Sequence, residues 1–328
     1  MESLIFAINA VVPIVVMVSI GYFLKKAGMI DKSFAKTANK VVFRVLLPAM
    51  LFLNVYKIED TENIELGYVF YALAVTFSVF WIALFTSGFI TKDGAKRGAL
   101  IQGIFRSNYA LIGIPLAGSL FGSEGTLIAA VLSAFAIPFF NVLAVISLTV
   151  FGKSEKKITF GSIFMGVIKN PLIQGVAAGF AVIVIRRFFA DAGIDFRLSD
   201  IAPLMKVLDY LSTAATPLAL IVLGAQFEFS TVGEMKKEII FGTLMRSVFV
   251  PIFGIGTAFI LFRNDFSGAE FAALTALFTT PVAVSSVPMA QEMGGDHVLA
   301  GQIVVWTTIA SAITVFIASF LLKSAGIF

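Results

Sequence analysis

FRSNYALIGIPLAGSLFG, residues 105–122, and FTTPVAVSSVPMAQEMGG, residues 278–295, are the two stretches on which the fold turns. At a constant offset of 173 they match at Phe105/Phe278, Ala110/Ala283, Pro115/Pro288, Ala117/Ala290 and Gly122/Gly295. Both are apolar runs interrupted by proline, with glycine or serine just ahead: Gly113 before Pro115, and Ser285 and Ser286 before Pro288. Proline inside a helix removes a donor and clashes with the preceding turn, whereas at the start of a new helix it is at home. The pattern therefore predicts two interrupted helices, each restarting at its proline, with Pro281 adding a second break signal in the later one. A simple kink in a continuous helix is the alternative for either proline alone; two at equivalent positions favour the break.

Working outward, LLPAMLFL around Pro48 lines up with ATPLALIVLG around Pro217, and Pro13 and Pro171 fall in the first apolar runs of their respective halves. The solvent of this chain is lipid. Hydrophobic residues make up 59% and charged residues 13%, about half the charged share of an ordinary soluble domain, and mean hydropathy is +0.97. Twenty-residue apolar segments long enough to cross a bilayer are predicted near 4–24, 36–56, 66–90, 97–121, 125–150, 170–190, 202–226, 238–262, 270–293 and 297–322. The first has no basic run ahead of it and Lys25 and Lys26 behind it, so it is expected to stay as a span rather than be removed as a signal peptide.

The expected fold is thus an all-α integral membrane protein with ten transmembrane helices. Residues 1–152 form a first five-helix repeat, 153–169 a cytoplasmic amphipathic linker (within ITFGSIFMGVIKN, 158–170), and 170–328 a second repeat. Five is odd, so the two repeats must lie in opposite orientations, the plan of secondary transporters whose broken helices meet at mid-membrane. Lysine and arginine concentrate in the loops after spans one, three and five, while Glu59, Asp60, Glu62 and Glu65 surround Lys57 after span two. The positive-inside rule places the basic loops in the cytoplasm and both termini outside, in the cell membrane.

Several chemistries have few residues to work with. There is no cysteine, the single histidine, His297, is expected in a solvated loop, and Gly152-Lys153-Ser154 lacks the upstream glycine of a phosphate-binding loop. No catalytic residue, metal or cofactor is assigned, and no nucleic-acid partner. The amide ends of the restarted helices would favour an anion. Arg106, Ser107 and Asn108 precede the first break, and Thr279 and Thr280 the second. A charge at the depth of Arg106 costs on the order of 3 kcal/mol, offset either by a substrate carboxylate or by a lipid phosphate reached by snorkelling. Asn141 and Gln291 either line the same cavity or bind neighbouring helices. The substrate-binding candidates are Arg106, Ser107, Asn108, Gly113, Pro115, Asn141, Thr280, Pro281, Ser285, Ser286, Pro288 and Gln291. Asp209 is expected to pair with Lys206 three residues earlier, Arg44 and Arg246 to be interfacial or helix-pairing residues, and Gly175 and Gly179 to form a packing face.

RSNYALIGIPLAGSLFG and TTPVAVSSVPMAQEMGG, with LLPAMLF and TPLALIVLGAQF, resemble the auxin efflux carrier family of membrane transport proteins over essentially the whole chain. The resemblance is to compact bacterial members, since the long central loop of plant auxin exporters is absent. It implies a fold akin to bile-acid symporters and sodium/proton antiporters, with spans one, two, six and seven as a scaffold and spans three to five and eight to ten as a moving transport unit. It further implies elevator-type alternating access, a small carboxylate (malate- or malonate-like, or auxin-like) held where spans four and nine cross, and a crossover motif on Asn108, Gly113, Pro115, Pro281, Ser285 and Pro288. A cation-coupled symporter or antiporter is the alternative, for which more buried acids would be expected. The lack of an acid pair at the crossover disfavours proton antiport by a carboxylate pair and leaves the coupling ion open; a membrane-embedded sensor has no output domain to support it. Related folds suggest a homodimer.

Overall fold

The computed structural model describes residues 2–57, 66–152, 160–191, 193 and 196–327. The acidic loop 58–65 and the basic run 153–159, on which the expected orientation leaned, lie outside these residues. Helix is the only regular structure among the described residues, apart from one isolated antiparallel bridge between Ser107 and Val282.

In chain order the helices are α1 (Glu2–Lys26), α2 (Lys32–Val41), α3 (Leu47–Tyr56), α4 (Gly67–Ile90), α5 (Gly94–Phe105), α6 (Ile114–Phe151), α7 (Phe160–Ile168), α8 (Pro171–Asp191) and α9 (Ala202–Gln226). They continue with α10 (Thr231–Glu234), α11 (Lys236–Leu244), α12 (Val250–Phe262), α13 (Gly268–Thr279), α14 (Ser286–Glu292) and α15 (His297–Ser324). Their starts are written in the sequence. The side chains of Asp31, Asp93 and Asp296 accept from the amides of Phe34, Lys96 and Leu299 to cap α2, α5 and α15. Ser267 and Glu270 form a reciprocal capping box at α13. His297 is thereby the first residue of α15 and half-buried, not a solvated loop residue.

Three wide, π-helical turns share one cause. They cover Val42–Leu46, Tyr109–Gly113 and Met245–Phe249, and each ends two residues before a proline: Pro48, Pro115 and Pro251. A proline has no N–H for the carbonyl four residues back and its ring collides with that carbonyl. Widening the preceding turn relieves the collision without ending the helix.

Among the described residues, seven helical segments are long and apolar enough to cross a membrane: Lys32–Tyr56, Gly67–Ile90, Tyr109–Phe151, Pro171–Ala190, Ala202–Gln226, Lys236–Phe262 and His297–Ser324. The chain is a helical integral membrane protein. The fourth and ninth expected spans fall short for a physical reason, since their first halves, α5 and α13, are only 12 residues each. The long α6 also contains a corner: Phe121 and Gly122 leave helical geometry, and Gly122 has φ +64°, a left-handed value that glycine adopts without steric cost.

Packing is close where small residues permit. α8 lies against α3, and α1 against α9. A Cβ at Gly175 would sit 2.5 Å from the Pro48 carbonyl oxygen, and one at Gly179 2.7 Å from Val55 Cβ, so these two glycines do form a packing face.

Candidate functional site

The two interruptions face each other in the middle of the molecule. α13 ends because Pro281 follows: the residue before a proline is driven to extended geometry, and Thr280 has φ −69° and ψ 152°. α5 ends at Arg106, also extended at φ −83° and ψ 122°. The amide of Asn108 then donates to the Pro281 carbonyl at 2.8 Å, and the Ser107 and Thr280 hydroxyls bond at 2.6 Å. Each unwound strand thus satisfies polar groups of the other, which hydrocarbon could not do.

The breaks lie earlier than expected. The helix resumes at Tyr109, six residues before Pro115, because the wide turn at Tyr109–Gly113 absorbs that proline. Pro288 is the third residue of α14, which starts at Ser286. With only seven residues, α14 offers little aligned dipole, so side chains rather than a helix end dominate the local field.

Arg106 is only 4% exposed. Its guanidinium donates to Asn141 Oδ1 at 2.6 Å, to Ser285 Oγ at 2.9 Å and to Met289 Sδ at 3.0 Å. Those are three neutral partners for a group with five N–H donors. The four ion pairs among the described residues, Lys25–Glu228, Arg44–Glu292, Lys57–Asp209 and Lys96–Glu238, all lie elsewhere. The side chain turns inward, so it does not snorkel toward lipid phosphate.

Two adjoining cavities of about 50 and 120 Å³ open beside it. Leu47, Met50, Asn108, Ala110 and Ser285 line both; Arg106 and Asn141 line the smaller, Asn54 and Thr216 the larger. The amide nitrogens of Asn54, Asn108 and Asn141 are buried without a hydrogen-bond partner among the described residues. Two unspent donors in the cavity of one uncompensated cation, and a third in the adjoining cavity, form an environment that seeks an anion. Neither cavity is lined by an acid, and among the described residues no three His, Asp or Glu side chains converge to hold a metal.

Of the expected site residues, Arg106, Ser107, Asn108, Asn141 and Ser285 line the smaller cavity. Thr280 and Pro281 supply the contacts that hold the strands together. Ser286 is buried, and its carbonyl accepts from the Gln102 side chain at 3.1 Å. Gly113, Pro115 and Pro288 shape the backbone but line neither cavity. Gln291 lies away from the pocket, bonded to Asn39 and Gln226. Asp209 pairs with Lys57 at 3.1 Å, not with Lys206; a lysine N-terminal to its acid is the weaker order for a helical pair.

Arg246 is the residue whose role the sequence understated. It is 1% exposed and so not interfacial. Its guanidinium donates to the carbonyls of Thr280 (2.6 and 3.0 Å), Leu277 (2.9 Å) and Phe105 (3.4 Å). The orphan carbonyls and negative ends of α5 and α13 are thus capped by one cation. The signal available was an arginine in the middle of an apolar span, and the same cost applied to Arg106 would have flagged it. Asn54 and Thr216 gave no comparable signal, because isolated small polar residues are common in membrane helices.

A polytopic helical protein with two interrupted helices crossing at a buried, polar, cationic centre belongs to the class of membrane transporters. The family described as "Membrane transport protein" matches residues 6–319, and the chain belongs to it, the auxin efflux carrier family that its motifs resemble. An uncharacterized transporter of Methanothermobacter thermautotrophicus is 23% identical over 315 residues, covering 93% of this chain and 95% of the relative. An uncharacterized transporter of Methanocaldococcus jannaschii is 29% identical over 260 residues, covering 77% and 78%.

Proposed function

We propose that the protein is a secondary transporter that carries a small organic anion, bound as a carboxylate at Arg106 and the amides of Asn54, Asn108 and Asn141. The observation that carries this reading is the buried Arg106 guanidinium, which has hydrogen-bond donors to spare and no carboxylate partner. An arriving carboxylate would cancel the charge and occupy the orphaned amide donors together.

In this reading the chain crosses the membrane ten times: α1, α2–α3, α4, α5 with the start of α6, the rest of α6, α8, α9, α11–α12, α13–α14 and α15. Five spans in each half make two inverted repeats. The packing of α1 with α9 and α3 with α8, and of α13 with α6 and α14 with α15, supports a scaffold of spans one, two, six and seven beside a transport unit that carries the pocket between faces, with α1 against α15 where the two meet. An elevator of this kind would place the site alternately on either side. The basic loops would face the cytoplasm of the cell that holds the protein in its membrane.

Reconstituted liposomes, tested for uptake of radiolabelled mono- and dicarboxylates with and without sodium and proton gradients, provide the test. Uptake of at least one acid is expected, and Arg106→Gln or Asn108→Ala is expected to abolish it in a folded protein. Full uptake by both variants removes the crossover from the mechanism; absence of uptake of every acid removes the anion reading.

A further inference from the structure

Three consecutive residues after the second break each grip a different part of the proposed scaffold. Gln291 Oε1 accepts from Asn39 Nδ2 of α2 at 2.6 Å and from Gln226 Nε2 at the end of α9 at 3.0 Å. Glu292 pairs with Arg44, between α2 and α3, at 3.5 Å. Met293 Sδ accepts from the Asn170 side-chain amide, just before α8, at 3.5 Å. On its other side the segment is anchored to the transport unit, where the Asp296 amide donates to the Ala95 carbonyl at 3.0 Å.

In the ten-span reading these contacts share one direction from the pocket. Asn39 and Arg44 precede the pocket residues Leu47, Met50 and Asn54 on the same span, toward Lys32. Gln226 follows the pocket residues Thr216 and Ala219 on α9, toward Lys236. Gln291 follows the pocket residue Ser285, toward Asp296 and Ala95 beside Lys96. All three paths leave the pocket on the side of the basic loops.

We propose that Gln291, Glu292 and Met293 form the gate that seals the anion pocket on the basic-loop side. The conformation described is then the one closed to that side, and the contacts of these residues must break for the pocket to open there. The proposal rests on the alternating-access reading above and assigns Gln291 to gating rather than to substrate. Polar contacts suit a gate because they are directional and individually modest. The Arg44–Glu292 pair is also partly exposed, so together they hold one state without locking it.

The chain has no cysteine, so Ala110→Cys, at a position lining both cavities, is a single reporter for a membrane-impermeant maleimide. It would be used in the full-length protein in right-side-out and inside-out vesicles. Labelling is expected mainly from the face opposite the basic loops. Adding Gln291→Ala and Glu292→Ala is expected to raise basic-face labelling roughly tenfold, a shift equivalent to about 1.4 kcal/mol. The exchanged pair Arg44→Glu with Glu292→Arg, with Gln291 intact, is expected to keep that face closed. Should the double alanine variant not fold, Asn39→Ser with Glu292→Gln takes its place with the same expectation. Unchanged basic-face labelling in a folded gate variant, or a parent labelled equally from both faces, overturns the gate. The readout needs no substrate, so a protein that gates as expected yet takes up no acid would refute the anion reading alone.

Discussion

The hydroxyls of Ser107 and Thr280 are 2.6 Å apart and 173 residues apart in the chain, the same offset at which residues 105–122 align with 278–295. The Asn108 amide and the Pro281 carbonyl bond across the same separation. When two repeats are related by a two-fold axis, only positions on the axis touch their own counterparts. In the inverted-repeat reading proposed above, these two contacts would mark where the axis passes.

Ser107→Ala and Thr280→Val are each expected to lower stability by about 1 kcal/mol. Because the hydroxyls bond each other, the double variant should cost less than the sum, with a coupling of about 0.5 kcal/mol or more. Thermal unfolding in detergent of all four proteins checks this; strict additivity would show that the hydrogen bond is not formed.

The two buried arginines should separate cleanly. Arg246→Met leaves the carbonyls of Thr280, Leu277 and Phe105 without their donor and is expected to destabilise by roughly 3 kcal/mol. Arg106→Gln removes a charge that has no anionic partner in the protein and is expected to fold while losing uptake. Melting temperatures and size-exclusion profiles of both variants decide it, and the reverse ranking would contradict the roles assigned.

Asn54→Leu is expected to leave stability unchanged or slightly raised, since its amide nitrogen is buried and unpaired and an unmet donor stabilises nothing. Uptake should nevertheless fall several-fold, as one of the anion's donors is gone. A loss of stability with normal uptake would place Asn54 in packing instead.

Gly175→Ala should destabilise by about 1–3 kcal/mol, because its Cβ would press on the Pro48 backbone. Gly256→Ala, within α12 and with open space around it, should stabilise by about 0.5–1 kcal/mol through helix propensity. Paired melting curves test both signs at once.

The lipid-facing, all-helical character of the chain was legible residue by residue, because the cost of exposing apolar surface is a property of composition and segment length. So were the two interruptions, since proline acts on its own backbone. Where the helices resume was less so: Pro115 marks a widened turn rather than a helix start, because neighbouring turns can absorb its missing donor. What tertiary structure alone decided are relations across great sequence distance. Arg246 caps helices that end at residues 105 and 279, Asp209 meets Lys57 rather than Lys206, and Gln291 faces Asn39 and Gln226 instead of the pocket. A side chain's local sequence records the price of burying it, but only the packed fold settles which partner offsets that cost.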